Sequence, residues 1–586
     1  MNYNLNKIAA EAEKSTTGKA LRKLLPFLKQ ERKTLILAFI SIMISSGLNL
    51  AGPVLIGHTI DTYIQHKAYS GVLLFSGILL VMYLLSLVAN YAQARLMGGV
   101  GQRMLFSLRN TVFNKLQELP AAFFNQNKAG DLISRINNDT DKLNQFFSQS
   151  LMQFVGGIVT MIGAGIFLLV INVRLGAAGL LPALALLIFT RLISPLVKKK
   201  NAASLKTTGD LSAEIQESLN NFKAIIAFNR RDYFRRRFSE VNKANYQSSV
   251  SAGLVNNIFM PVFSLCSNLA QLIVLAYGIH LIAAGNFTIG LLISYLAYLN
   301  SFYTPIRQLA TLWTNFQVAM AGWDRISHIL NLGTDMPFVS APAAVVKAPV
   351  IEFKDVSFHY PDGKDVLRHI SFSMEQGKTY ALVGPTGGGK TTTASLIARL
   401  YDPSSGTVHL GGRDIRSYDA NERTKKIGFI LQEPFLFSGT LRENILYGNE
   451  PLAHLTNEAL EHKLQEAGLS RLLERFDDGL ETNVAAAGDS ISLGQKQLIA
   501  FIRAVLRDPD LLILDEATAN IDTVTEQLLQ DILHRLPATT TRVIIAHRLN
   551  TIENADDIFF VNSGEIVRAG SFDHALNMLL HDQRSS

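Results

Sequence analysis

The chain has 586 residues, a formal net charge of +7 and 48% hydrophobic residues, with a mean hydropathy of +0.19. Such a length exceeds one domain, and such a hydropathy is high for a wholly soluble protein. The single cysteine, Cys266, excludes disulfides and cysteine-ligated metal sites within the chain.

In chain order, Gly18 to Leu28 comes first. It sets Leu21, Leu24, Leu25 and Leu28 beside Lys19, Arg22 and Lys23, which predicts an amphipathic helix on the inner leaflet, within an elbow segment over 1–33. Nearly charge-free stretches follow at 34–57, 71–94, 151–171, 175–196, 252–284 and 287–316. Each can cross a hydrocarbon core of roughly 30 Å, so six spans are expected within a membrane domain at 34–325. The last two exceed about 25 residues, which predicts helices that continue beyond the bilayer.

Lys and Arg alternate along the connecting segments. Residues 1–33 hold eight, 98–150 six and 197–251 eleven, against one in 58–70, one in 172–174 and none in 285–287. That asymmetry predicts a cytoplasmic N-terminus and a cytoplasmic soluble domain. The positive charge is thereby explained by orientation and lipid contact, without a nucleic-acid partner.

The two long inside segments are amphipathic and predict rods of helix rather than slack loops. Pro120 to Asn125 and Gly130 to Arg135 mark a break and restart within the first. Arg191 and Arg307 are the charges inside spans that raise a pathway reading. Arg191 is read as snorkelling to the interface, and Arg307 shares the sixth span with Tyr295, Tyr298, Phe302, Gln308 and Asn315. The aromatic stripe is read as helix packing ahead of substrate contact.

Residues 326–349, with Pro337, Pro342 and Pro349 among small residues, predict a linker into a soluble domain at 350–586. There, Gly384, Gly389, Lys390 and Thr391 satisfy G-x-x-x-x-G-K-[ST] between an apolar strand run, Thr379 to Val383, and a helical pattern from Thr393. Such a loop curls its backbone N–H groups around phosphate oxygens, so Gly384, Thr386, Gly387, Gly388, Gly389, Lys390, Thr391 and Thr392 form the expected ATP cradle. Lys390 would reach the β/γ-phosphates and Thr391 would ligate Mg²⁺. Downstream, Leu511 to Leu514 runs into Asp515 and Glu516, a strand ending in a metal partner, Asp515, and a candidate general base, Glu516.

Six spans followed by these motifs resemble an ABC transporter half-molecule of the exporter fold over nearly the whole chain. The resemblance implies a membrane all-α domain of six transmembrane helices with long cytoplasmic extensions, followed by an α/β P-loop ATPase domain. It implies ATP and Mg²⁺ as cofactors, Tyr360 stacking on adenine, Gln432 near Mg²⁺, His547 as switch histidine and Asp522 beside the nucleotide. Two coupling helices are placed by analogy near 122–130 and 210–220.

The family's Leu-Ser-Gly-Gly-Gln signature reads Ile491-Ser492-Leu493-Gly494-Gln495 in this chain. Ser492, Gly494 and Gln495 match, and Leu493 does not. By the resemblance the signature closes over ATP held by a partner subunit, where a branched side chain hinders backbone approach to phosphate. Thr482 to Gly488 lacks the family's charges, with Ala485-Ala486-Ala487 in their place, and Ala519 to Asp522 departs from Ser-Ala-Leu-Asp. Because the elements serving the chain's own ATP all match, the expectation is a heterodimer with a second half-transporter ahead of a homodimer.

The expected function is ATP-driven export of amphipathic or hydrophobic compounds, such as drugs, lipids or peptides, from a bacterial inner membrane. An importer on the same fold, taking siderophore-like substrates, is the alternative.

Overall fold

The computed structural model describes residues 3–5, 7–8, 26, 29–340, 348–361, 363, 365–485, 491–515, 523–545 and 555–582. The amphipathic segment expected at 18–28 lies almost wholly outside the described residues. The chain divides into two units.

The membrane unit comprises 9–116 and 130–330. Among its described residues six helices are long and apolar enough to cross a bilayer, as the hydropathy predicted. The first, α1 (Arg32–Thr59), runs into a π-helical turn at Ile60–Ile64. The second, α2 (Tyr69–Gln117), is followed by the short α3 (Ala121–Gln126), which belongs to the other unit. The third span occupies Ala129–Ile171 and ends in α4 (Leu151–Ile171). Its partners are α5 (Val173–Asn220), the short α6 (Phe222–Ala227), α7 (Arg231–Asn257) with α8 (Phe259–Ala283), and α9 (Ile289–Leu330).

All six extend well past a bilayer's thickness, and not only the last two. An α-helix rises about 1.5 Å per residue, so the 48 residues of α5 are more than twice what a hydrocarbon core needs. The extensions of α5 and α7 are joined by polar pairs, among them Asn201 with Asn256 and Thr207 with Asn245. Arg237 clamps the buried Glu214 at 2.8 Å. At the lower end of α9, Arg325 pairs with Asp131 at 2.7 Å and with the fully buried Asp139 at 3.2 Å.

Two expectations shift here. The segment 210–220, expected as a coupling helix, lies inside the unbroken α5. The break comes at Asn221, and the separate short helix is α6. Residues 210–220 contain no proline or glycine breaker, so the backbone ladder simply continues. The sixth helix also passes the expected end at 325 and runs to Leu330, because Ile326 and Ile329 are fully buried and hold the last turn in register.

The aromatic stripe of α9 is packing, as read from the sequence. Tyr295 and Tyr298 are fully buried and donate to the carbonyls of Leu168 and Leu50, each at 2.5 Å. Tyr303 does the same to Gly179 at 2.9 Å. Each phenol closes a helix–helix contact while satisfying its own hydroxyl in a medium without water.

The other unit, called the ATPase unit after the expectation from the sequence, comprises 1–8, 117–129 and 331–586. Its strands are β1 (Ile351–His359), β2 (Asp365–Met374), β3 (Thr379–Val383), β4 (Ser405–Leu410), β5 (Arg413–Asp414), β6 (Ile427–Ile430), β7 (Gly439–Thr440), β8 (Asn483–Val484), β9 (Leu511–Asp515), β10 (Thr541–Ile545), β11 (Asp557–Asn562) and β12 (Glu565–Arg568). They form an antiparallel sheet ordered β2-β1-β4-β5, a six-stranded sheet ordered β12-β11-β3-β10-β9-β6, and the pair β7-β8. In the larger sheet β11, β3, β10, β9 and β6 run parallel, and β12 caps one edge antiparallel. Every residue of β9 is buried, as expected for a parallel strand covered on both faces. Helix α10 (Lys390–Ile397) follows β3, and α11 (Leu493–Val505) packs its buried face into the core beside β6 and β9.

Candidate functional site

Strand register brings together the strand ends that precede several of the expected ATP-site residues. Ile545 of β10 lies opposite Asp515 of β9 on one side and Leu382 of β3 on the other. Ile430 of β6 lies opposite Leu514. The carboxyl ends of four neighbouring parallel strands therefore converge, and ligands of open α/β sheets bind at such ends. The glycine loop leaves one end after Val383 and Gln432 follows another after Ile430, while in the sequence Glu516 comes after Asp515 and His547 after Ile545. Glu516, Asp522 and His547 lie outside the described residues.

The loop from Gly384 to Gly389 holds backbone that side chains rarely adopt, with φ of +148° at Gly384, +84° at Gly387 and +114° at Gly389. Gly384 also passes so close to β11 that a Cβ there would lie 2.0 Å from the Val561 carbonyl oxygen. Lys390, 5% exposed, folds its ammonium back over the loop and donates to the carbonyls of Gly384 at 2.9 Å and Pro385 at 3.0 Å. The loop leads into the N-terminus of α10, a helix end that favours phosphate, and within the loop Gly388 N–H donates to the Pro385 carbonyl at 3.1 Å.

The Thr391 hydroxyl donates to Asp515 Oδ1 at 3.4 Å, and Asp515 itself is 1% exposed. A hydroxyl and a carboxylate oxygen side by side are the hard oxygen donors that Mg²⁺ takes alongside phosphate oxygens, so the residues fit that ion. Gln432 is exposed in the turn beyond β6. Tyr360 is half-buried at the end of β1, its hydroxyl 3.1 Å from Thr392 Oγ1 and its ring edge-on to Phe358 and to Tyr401.

Ser492, Gly494 and Gln495 form the start of α11. Ser492 is the N-cap: its hydroxyl accepts from Gln495 N–H at 3.2 Å, and the Gln495 side chain accepts from Ser492 N–H at 3.0 Å. This reciprocal capping box was legible in the order Ser-x-x-Gln before an apolar run. Leu493 occupies the first helical position, with 45% of its surface exposed at the helix start.

The membrane unit holds a separate cavity of about 460 Å³ between α1, α2, α4 and α9. Its walls include Ser45, Asn49, Asn90, Gln153, Thr160, Asn300 and Gln308, and no lining side chain is charged. Ser45, Asn49, Ser86 and Asn90 form a closed hydrogen-bond square, with Ser45 donating to Asn90 at 2.8 Å and Ser86 to Asn49 at 3.2 Å. Arg307 is exposed beside this lining and takes no part in it. Sequence reasoning missed the square, although the repeated Ser-x-x-x-Asn on successive spans, Ser45 to Asn49 and Ser86 to Asn90, carries it.

Comparison with known families decides the identity. Residues 35–306 match the family model of the ABC transporter transmembrane region, and residues 367–519 match that of the ABC transporter. This chain belongs to the ABC transporter family. Both regions lie in one chain, as in exporter-type ABC ATP-binding/permease proteins. An uncharacterised ABC transporter ATP-binding protein of Bacillus subtilis is 35% identical over 96% of this chain and 93% of its own length. A fatty acid ABC transporter ATP-binding/permease protein of Mycobacterium bovis is 34% identical over 84% of this chain and 77% of its own. A multidrug resistance ABC transporter protein of Lactococcus lactis is 29% identical over 96% of this chain and 95% of its own.

Proposed function

We propose that this ABC transporter chain is one half of an ATP-driven exporter of amphipathic compounds, seated in a bacterial inner membrane with its ATPase unit in the cytoplasm. The observation that carries the reading is the pairing, in one chain, of a strand-end phosphate loop with a membrane cavity of hydroxyls and carboxamides. An uncharged polar wall desolvates a neutral hydrogen-bonding group at modest cost, whereas an unpaired charge there is costly. The favoured cargo is therefore a molecule with an apolar body and neutral polar groups. The names of the fatty acid and multidrug relatives support that general class.

In the ATPase unit, the amides of Gly384 to Thr392 and the Lys390 ammonium bind the phosphates, and Tyr360 stacks on adenine. Thr391, Asp515 and Gln432 would hold Mg²⁺, which when bound would supply positive charge beside the phosphates. Glu516 accepts the proton of the attacking water, and His547 contacts the terminal phosphate. Ser492, Gly494, Gln495 and Asp522 serve the nucleotide from across a dimer interface. Leu493, projecting at the start of α11, obstructs that approach, so the partner that best explains this chain is a second, unlike half-transporter. Closure of two ATPase units and its reversal on hydrolysis then alternate the access of the cavity.

The test is reconstitution of the full chain in lipid vesicles, with and without a candidate partner. Flux away from the ATP-bearing side, abolished by Glu516→Gln, is expected; flux toward the ATP-bearing side would make the chain an importer and overturn the reading.

A further inference from the structure

Tyr3 is fully buried, although it lies outside any helix or strand. Its backbone and its side chain bind two different parts of the ATPase unit. Tyr3 N–H donates to Gln126 Oε1 at 2.8 Å, and Asn127 Nδ2 donates to the Tyr3 carbonyl at 2.9 Å. Leu5 N–H donates to Asn127 Oδ1 at 3.0 Å, and the Tyr3 ring meets Phe123 edge to face at 6.3 Å. All of these partners lie on α3 or directly after it. The phenol reaches the other way. It donates to Asp335 Oδ1 at 2.8 Å, with the Gly333 carbonyl 3.3 Å away, and accepts from Asp335 N–H at 2.8 Å. Burial is the largest cause holding the phenol un-ionised, and the Asp335 carboxylate adds to it, so it remains a donor at any physiological pH.

These two parts are where the chain passes between units. Residues 117–129 leave the membrane unit at Leu116 and return to it at Gly130, and residues 331–335 follow directly from the end of α9. On α3 a second grip comes from Tyr401, whose hydroxyl accepts from Asn125 Nδ2 at 2.5 Å and whose ring is edge-on to Tyr360 at 5.4 Å. Helix α3 is six residues long, too short to hold its shape or place without tertiary contacts.

We propose that Tyr3 is a positioning residue for energy coupling: a clasp that ties α3 to the 333–335 segment, so that motion of the ATPase unit enters the membrane unit through both passages together. The inference rests on the reading of the chain as an ATP-driven transporter. Without the clasp, ATP is still hydrolysed, but the membrane helices follow the ATPase unit less completely. Among the described residues Tyr3 bonds Gln126, Asn127, Gly333 and Asp335 and packs on Phe123, none of them an expected ATP-site residue, so its loss leaves the chemistry in place.

Hydrogen–deuterium exchange and ATPase rates of the full chain in vesicles, without nucleotide and with ATP plus vanadate, test this without knowledge of the cargo. Tyr3→Ala should keep ATPase within about twofold of the parent while amides at 121–129 and 331–335 exchange about tenfold faster, as loss of a local closing contact dictates. The ATP-plus-vanadate response of peptides from α2 and α9 should fall by about half or more. Tyr3→Phe keeps the ring on Phe123 and the backbone bonds, so it should restore protection at 121–129 and leave 333–335 fast, and it serves if Tyr3→Ala does not fold. Parent-like exchange at both segments in Tyr3→Ala, or faster exchange with an undiminished response to ATP, overturns the clasp. A parent protein whose membrane peptides do not respond to ATP, whether by itself or with a candidate partner half-transporter, overturns the transporter reading itself.

Discussion

Gly384→Ala isolates what the phosphate loop demands of its backbone. Real Cβ contacts stay beyond about 3 Å, and the added Cβ would lie 2.0 Å from the Val561 oxygen, so loop or strand must give by about 1 Å. Val561 lies in β11, whose neighbour Phe560 pairs with Val383 at the end of β3, so yielding there strains a ladder bond worth about 1 kcal/mol. A non-glycine residue at positive φ adds about 1–2 kcal/mol. The sum, about 2–3 kcal/mol, corresponds to roughly 30- to 150-fold in ATP affinity if the bound loop must recover its shape. Gly468→Ala is the control, since Gly468 has φ +71° with nothing within 4 Å of its Cβ position. It carries the backbone strain alone and lies outside the phosphate loop. Titration with a fluorescent ATP analogue, beside thermal melting of both variants, separates the terms. Gly468→Ala should melt lower with parent-like affinity. Gly384→Ala with affinity within threefold and an unchanged melting temperature would refute the close-approach argument.

Three further outcomes follow from the same geometry. If Leu493 is the obstruction at the signature, the chain expressed by itself hydrolyses ATP slowly and Leu493→Gly raises the rate by about tenfold, despite a helix-propensity cost of ~1 kcal/mol; an unchanged rate removes Leu493 from the argument. Asn90→Leu opens the Ser45–Asn49–Ser86–Asn90 square, so stimulation of ATPase by neutral polar amphiphiles should weaken while basal ATPase stays; intact stimulation would separate the square from the cargo path. Burial pushes the Asp414 carboxyl up, but the hydrogen bonds and charge of Arg416 outweigh it and hold it below its ordinary value. Its ionised form therefore stabilises fully above the unfolded value near about 4 and loses that effect as pH falls through the lower folded value. Asp414→Asn should melt lower than the parent at pH 7, with the gap closing in acid; a gap constant with pH would refute the pairing.

The six spans, the strand before the phosphate loop and the acidic strand end were determined by sequence alone. Each is a local pattern whose physics needs no partner from afar: twenty apolar residues must span or aggregate, and glycines before Lys390 must curl. The departure at Leu493 was equally legible, because a motif is read position by position. What tertiary structure decided were matters of register and long-range closure. Only the parallel pairing of β10 with β3 and β9, and of β9 with β6, sets Asp515 beside Thr391 and puts the strand end before Gln432 next to that of β9. Only packing shows that Tyr295 and Tyr298 close helix contacts while Asn49 and Asn90 face a cavity, since both sets have the same helical spacing. The break between α5 and α6 falls at Asn221 because helix persists wherever nothing interrupts its ladder, and amphipathicity alone does not mark that point. Tyr3 is the extreme case: a lone aromatic in a polar stretch carries no local signal, and its burial arises solely from partners 123 and 332 residues away in the chain that fold around it.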